Sequence, residues 1–130
     1  MAYLQWTSNL SVGNATLDSH HKILVDLINA VSEAKGTSGQ ARVNLALTEL
    51  LDYTRYHFTE EERVMEAAGY PELDQHRQSH AEMVRQVADL RNRHLAGTAV
   101  LSAEHLLDYL SQWLMGHIVA KDLRFRPYVE

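Results

Sequence analysis

Apolar residues recur every three or four positions along four stretches of the chain, which is the period of an amphipathic helix. Glycine and proline are scarce within these stretches and cluster between them. The stripes consist, in chain order, of Leu17, Leu24, Ile28 and Val31; of Val43, Leu47, Leu50, Thr54, Met65 and Ala68; of Leu73, Val84 and Val87; and of Leu106, Leu110 and Trp113. The pattern predicts four helices, each with one buried face.

Local signals place the ends of these helices. The predicted helices span about residues 17–35, 40–68, 72–95 and 103–121, after an N-terminal arm of residues 1–16. Thr16 and Ser102 are predicted N-caps, because their hydroxyls can accept a hydrogen bond from a backbone N–H. The runs "KGTSG" from Lys35 and "GYP" from Gly69 are expected to end the first two helices. Similar lengths and short connections favour a single all-α domain, an up-down-up-down four-helix bundle.

Histidine and carboxylate residues interrupt the apolar stripes at helical spacing. They are His21 on the first helix, His57 and Glu61 on the second, His76 and His80 on the third, and His117 and Asp122 at the end of the fourth. A spacing of four places two side chains on one helical face. Asp122 follows His117 by five positions, about 140° round the helix. It can join the others only if the helix loosens or ends there.

A carboxylate within an apolar stripe needs a positive partner. Burying the charge of Glu61 alone would cost several kcal/mol, and no lysine or arginine lies on the stripes near it. Each pair taken alone also fits a solvated or hydrogen-bonded role, but four stripes in register predict a buried metal site. His20 remains an alternative to His21.

Several polar residues near these pairs are expected to lie outside the site. His94 and His105 have no ligand-type partner on an apolar face, so both are expected at the surface. Glu60 and Glu62 flank Glu61 and are interpreted as surface charges. The pattern therefore restricts the candidate ligands to seven side chains.

Composition excludes several classes of function. Seventeen acidic and twelve basic residues give a net charge of -5, which argues against a nucleic-acid partner. The absence of cysteine excludes disulfides and thiolate metal sites. The sequence has no apolar run long enough to cross a membrane, and its first residues do not resemble a signal peptide. We therefore expect a cytoplasmic protein.

The ligand set indicates the number and type of metal ions. Five imidazoles and two carboxylates exceed the needs of one ion, so two ions bridged by the carboxylates are expected. Without sulfur, zinc and iron are the leading candidates, because manganese and calcium prefer more oxygen ligands.

Four segments, "LDSHHK", "HFTEEE", "HRQSH" and "WLMGHIVAKD", resemble the successive motifs of the hemerythrin family, specifically its single-domain bacterial members. The resemblance implies two iron ions, as Fe2+ or Fe3+, with a bridging oxo or hydroxo group. It implies that His76, His80 and His117 bind one iron, that His21 and His57 bind the other, and that Glu61 and Asp122 bridge them. It favours His21 over His20, because the family ligand directly precedes a basic residue, here Lys22.

The resemblance also implies a function. Family members bind dioxygen reversibly as carriers, stores or sensors rather than as enzymes, and nitric oxide or azide-like anions are further expected ligands. Leu114 and Ile118 are expected beside the oxygen site, with Trp113 next to the ligands, and the protein is expected to be a monomer. The alternatives are a di-iron oxidase, peroxidase or nitric-oxide-handling enzyme, and a helical scaffold without metal. A nitrogen-rich ligand set favours binding, because oxygen-activating bundles use more carboxylates.

Overall fold

Four long helices form the protein. A computed structural model describes residues 4–37, 40–97 and 102–129, and it contains no strand within these ranges. The helices are α1 (Ala15–Thr37), α2 (Gln40–Ala67), α3 (Leu73–Leu95) and α4 (Ala103–Ala120). A 3-10 turn (Ser8–Leu10) precedes α1, whereas a 3-10 helix (Asp122–Phe125) and a short α5 (Arg126–Val129) follow α4. The predicted all-α bundle is confirmed, with every helix end within two residues of the one expected.

The helices pack as a bundle around one apolar core. α1 lies against α2 and α4, and α2 lies against α3. The indole Nε1 of Trp113 on α4 donates a hydrogen bond to the carbonyl of Met83 on α3, at 3.1 Å. One end of the bundle is formed by the start of α1, the end of α2, the start of α3 and the end of α4, whose side chains come together there.

The core differs from the predicted stripe in α3. Val84 and Leu73 are only partly buried, whereas Met83 is buried in their place. The buried positions of this helix are His76, His80, Met83, Val87, Leu90 and His94. They alternate steps of four and three, the spacing that keeps one side of a helix against its neighbours. On α2, Ala68 is exposed and lies beyond the last helical residue.

Side-chain caps explain where the helices begin. The Oδ1 of Asn14 accepts from the backbone N–H of Leu17 at 3.0 Å, so the prediction of Thr16 as the cap is wrong. Thr16 lies inside the first turn, because Asn14 already satisfies that donor. Ser102 accepts from the N–H of His105 at 3.1 Å, as predicted.

A glycine turn ends α2. Gly69 has φ +69°, a conformation that only glycine adopts without strain. The N–H of Tyr70 donates to the carbonyl of Met65 at 3.0 Å, and that of Gly69 to the carbonyl of Glu66 at 3.1 Å. These are the two bonds of a Schellman motif. For α1, part of the predicted terminating run, residues 38–39, lies outside the described residues.

A second, small apolar cluster closes this end of the bundle. Its buried members come from the N-terminal arm, α1, the end of α2, the turn after α2 and the C-terminal segment: Val12, Leu17, Met65, Tyr70 and Phe125. Asp18 fixes the arm, because its carboxylate accepts from the hydroxyl of Ser11 at 2.6 Å and from the N–H of Val12 at 2.9 Å. The two chain-terminal segments thus cover the end at which the candidate ligands lie.

Candidate metal centre

The seven candidate ligands meet in one buried cluster between the four helices. None is more than 6% exposed; they are His21, His57, Glu61, His76, His80, His117 and Asp122. The structure places His21 rather than His20 in this cluster. Side chains from all four helices and from the following 3-10 helix therefore converge on one volume.

Glu61 lies at the middle of the cluster. Its Oε1 is 2.8 Å from Nε2 of His76 and 3.0 Å from Nε2 of His80. Its Oε2 is 3.3 Å from Nε2 of His57 and 3.5 Å from Nε2 of His21. One carboxylate therefore faces two groups of imidazoles with its two oxygens.

Asp122 reaches the cluster because α4 ends before it. Lys121 leaves the helical conformation, with φ -122° and ψ -56°, and Asp122 begins the 3-10 helix. The Oδ1 of Asp122 is 2.9 Å from Nε2 of both His76 and His117, and its Oδ2 is 3.3 Å from Nε2 of His21. The five-residue spacing thus has the expected cause, a helix that stops.

The donor atoms divide into two overlapping sets. In each set the potential ligand atoms lie within 4.8 Å of one another. The first set consists of Glu61, His76, His80, His117 and Asp122. The second set consists of His21, His57 and Glu61. Glu61 belongs to both, so the arrangement accommodates two ions that share a carboxylate.

Several donor atoms in the cluster are better placed to bind a metal ion than to hydrogen-bond to one another. Among the described residues, five buried atoms that face the centre of the cluster lie 2.9–3.5 Å from an imidazole or carboxylate atom but make no hydrogen bond of good geometry: Nε2 of His21, His57 and His117, Oε2 of Glu61 and Oδ1 of Asp122. A buried polar atom without a partner costs about 1–3 kcal/mol. All five are nitrogen or carboxylate oxygen, the donors that zinc and iron accept. The residues present therefore fit a metal centre.

Electrostatics within the metal-free cluster favour paired charges. Burial alone would lower the pKa of His21 and of His76, but interaction of each imidazole with the carboxylates of Asp122 and Glu61 outweighs it and raises each pKa to about 9. Burial opposes the charge of Glu61, but four imidazoles hold the pKa of this carboxyl well below its usual value. Burial lowers the pKa of His57. Protonated His21 and His76 therefore offset the charges of the two carboxylates when no metal does so. Burial opposes the charge of His80 as well, but Glu61 and Glu62 raise the pKa of this imidazole.

The outward-facing nitrogens of two ligand histidines on α3 and α4 also have neighbours. Nδ1 of His80 lies 2.7 Å from a carboxylate oxygen of Glu62, and Nδ1 of His117 lies 3.3 Å from the hydroxyl of Ser79. The interpretation of Glu62 as a plain surface charge is therefore wrong, since its side chain is only 24% exposed. No spacing rule within one helix links Glu62 to a histidine on the next helix, so this contact could not be predicted from the sequence.

The surface positions predicted for His94 and His105 have different outcomes. His105 is exposed, as expected. His94 is fully buried, so its predicted surface position is wrong. It continues the four-three repeat of buried positions on α3 and lies far along that helix from the metal cluster.

The residues expected around an oxygen site lie in the core. Leu114 and Ile118 are 1% and 0% exposed, and both belong to the main apolar cluster. Trp113 is 8% exposed. Since Leu114 and Ile118 are four positions apart, they lie on neighbouring turns of α4.

Comparison with known proteins identifies the family. The model of the hemerythrin HHE cation binding domain matches residues 12–129. The chain belongs to the hemerythrin family. Among its hemerythrin relatives, the bacteriohemerythrin of Stenotrophomonas maltophilia is 33% identical over 130 residues, which cover 100% of this chain and 84% of the relative. That of Pseudomonas aeruginosa (strain LESB58) is 37% identical over 118 residues, covering 91% and 76%.

A solved hemerythrin structure supports the same assignment. The wild-type crystal structure superimposes with a TM-score of 0.89 at 27% identity, covering 98% of both chains. In this hemerythrin-family chain, no helix of the described ranges is both long and apolar enough to cross a membrane. The chain is thus a cation-binding protein of this family, with a buried cluster of histidine, glutamate and aspartate.

Proposed function

We propose that this protein binds dioxygen reversibly at a non-haem di-iron centre formed by the seven clustered side chains. The observation that carries the proposal is the position of the two carboxylates. Glu61 and Asp122 each have one oxygen facing the histidines of α3 or α4 and the other facing His21. Two carboxylates that are shared in this way favour two ions over one.

The histidines are unequally distributed between the two ions. His76, His80 and His117 would hold one iron, whereas His21 and His57 would hold the other. The second ion would have one fewer protein ligand, which leaves a position for a small molecule. When bound, two irons with a solvent-derived oxo or hydroxo group would supply the two electrons that reversible dioxygen binding requires.

Apolar residues of α4 would keep water from this site. Leu114 and Ile118 are buried in the main core, and their side chains cannot donate a proton to a bound ligand. Trp113 is fixed by its hydrogen bond to Met83. An apolar lining that excludes water favours retention of a bound gas. Nitric oxide or azide-like anions would compete for the same position.

The donor set supports binding rather than oxidation. Five imidazoles and two carboxylates form the cluster, whereas oxygen-activating di-iron bundles assemble carboxylates with Glu-x-x-His pairs. Neither carboxylate in the cluster is followed by a histidine at that spacing. We therefore assign the protein to oxygen carriers, stores or sensors.

Anaerobic reconstitution tests the proposal. The metal-free protein is loaded with ferrous iron under argon, the iron content is measured, and visible spectra are recorded under argon, under air and again under argon. We expect two irons per chain and an absorption band that appears in air and disappears when oxygen is removed. One iron per chain, or a band that forms irreversibly in the first exposure, would contradict the proposal.

A further inference from the structure

His20 occupies a built position beside the two-histidine half of the cluster. It precedes His21 on α1 and is 7% exposed. Its Nδ1 lies 3.0 Å from Nδ1 of His57 on α2, at hydrogen-bonding distance. The ring of His20 also contacts the rings of Tyr53 and Tyr56, with centroids 5.8 and 5.3 Å away. Its orientation is therefore fixed by packing as well as by the hydrogen bond.

The contact between the two imidazoles determines their tautomers. The Nε2 of His57 is the nitrogen that faces the cluster, 3.3 Å from Glu61. A histidine that binds metal through Nε2 carries its proton on Nδ1. Nδ1 of His57 is then the donor of the 3.0 Å hydrogen bond, so Nδ1 of His20 must accept and His20 must carry its own proton on Nε2.

We propose that His20 is a positioning residue. It accepts a hydrogen bond from the Nδ1–H of His57 and so directs Nε2 of His57 into the two-histidine half of the centre. This inference rests on the metal centre proposed above. Ligand histidines commonly donate their second N–H to a fixed acceptor, and loss of such an acceptor typically weakens metal binding 10–100-fold. His20 supplies that acceptor from α1 to a ligand on α2.

Among the described residues, only the three-histidine half of the centre has a charged acceptor for a ligand N–H, because His117 faces the neutral hydroxyl of Ser79. His80, in the three-histidine half, faces the carboxylate of Glu62 at 2.7 Å. His57 faces a neutral imidazole, and Nδ1 of His21 is buried without a hydrogen-bond partner among the described residues. A carboxylate acceptor raises ligand basicity more than a neutral one. The half held by His21 and His57 is therefore the one that releases its ion first.

Three variants separate the hydrogen bond from packing. His20→Leu fills the space but cannot accept a hydrogen bond, whereas His20→Gln retains an acceptor oxygen. His105→Leu makes the same chemical change at an exposed histidine and serves as the control. Each protein is loaded with ferrous iron under argon, and transfer of iron to a coloured ferrous chelator is followed over time and chelator concentration.

We expect the wild-type protein to release its two irons in two steps. In His20→Leu, the chelator concentration that removes the first ion should be about 10–100-fold lower than in the wild type, and the concentration that removes the second ion should be unchanged. His20→Gln should remain within about threefold of wild type, because its carbonyl oxygen accepts the same N–H. Equal retention in His20→Leu and wild type, or equal loss in the Leu and Gln variants, would overturn the inference.

A tautomer measurement provides a second readout that packing alone would not change. In zinc-loaded wild-type protein, proton–nitrogen correlation spectra of the imidazoles should show His57 protonated at Nδ1 and His20 at Nε2. Protonation of His57 at Nε2 would overturn the inference even if His20→Leu does not fold. A wild-type protein that binds fewer than two irons would instead contradict the di-iron centre, so the two failures are distinguishable.

Discussion

Removal of the metal should make the stability of this protein fall as the pH rises above neutrality. In the metal-free cluster the pKa of His21 and of His76 is raised from 6.5 to about 9. A group with a raised pKa stabilises the fold fully below its unfolded value and loses that contribution as the pH rises through its folded value. At about 1.4 kcal/mol per pKa unit, each imidazole contributes on the order of 3 kcal/mol at pH 6.5.

The metal-loaded protein should show the opposite behaviour. Its ligand histidines are neutral because metal and proton compete for the same nitrogen. Raising the pH therefore removes no bound proton from them, and the free energy of unfolding should not decrease between about pH 6.5 and pH 9.5. On acidification below about pH 6.5 the loaded protein should lose metal.

Urea unfolding, followed by circular dichroism, measures the difference. Metal-free and metal-loaded protein are compared at about pH 6.5 and about pH 9.5. We expect the metal-free protein to lose several kcal/mol over this interval, and the metal-free His21→Gln variant to lose about half as much. His105→Gln, at an exposed position, is the matched control and should follow the wild type. A metal-free protein whose stability is constant or rises with pH would refute the proposed protonation of the cluster.

Three other outcomes follow from the same geometry. Glu61→Gln should retain much less iron than His105→Ala, because only the first removes charge between the two ions; equal iron content would show that Glu61 is not shared. Uptake of zinc near pH 7.5 should release about two protons per chain, measurable in a weakly buffered solution with a pH indicator; no release would mean that His21 and His76 are already neutral. Leu114→Ala, a core truncation costing about 2–5 kcal/mol, should keep both irons but shorten the life of the oxygenated spectrum in air; an unchanged decay rate would exclude Leu114 from the oxygen pocket.

The ligand cluster could be predicted because its members share helical faces with core residues. His57 and Glu61 lie on the stripe that contains Leu50 and Met65, so helical periodicity alone places them inside. The position of Asp122 required a further assumption, that α4 ends before it. That assumption depends on a single residue, Lys121, whose backbone conformation no periodic pattern reveals.

Features that depend on the relative rotation of two helices could not be predicted. The contact of Glu62 with His80 joins α2 to α3, and that of His20 with His57 joins α1 to α2. A sequence pattern describes one helix at a time, so it shows which face is apolar but not which side chain of the next helix lies opposite. The burial of His94, by contrast, follows the periodicity of α3, because it lies seven positions after the buried Val87 on the same face.

The gathering of all seven ligands at one end of the bundle has a consequence for local opening. A bound ion there links segments that are distant in sequence, from His21 on α1 to Asp122 after α4. In the loaded protein, amide hydrogens near Glu61 and His76 should exchange with solvent only when metal dissociates or the whole domain unfolds. Amides near Leu95 lie at the opposite end and can exchange by fraying of the helix terminus. Metal binding should therefore produce a gradient of hydrogen-exchange protection along the bundle axis, and its removal should level that gradient.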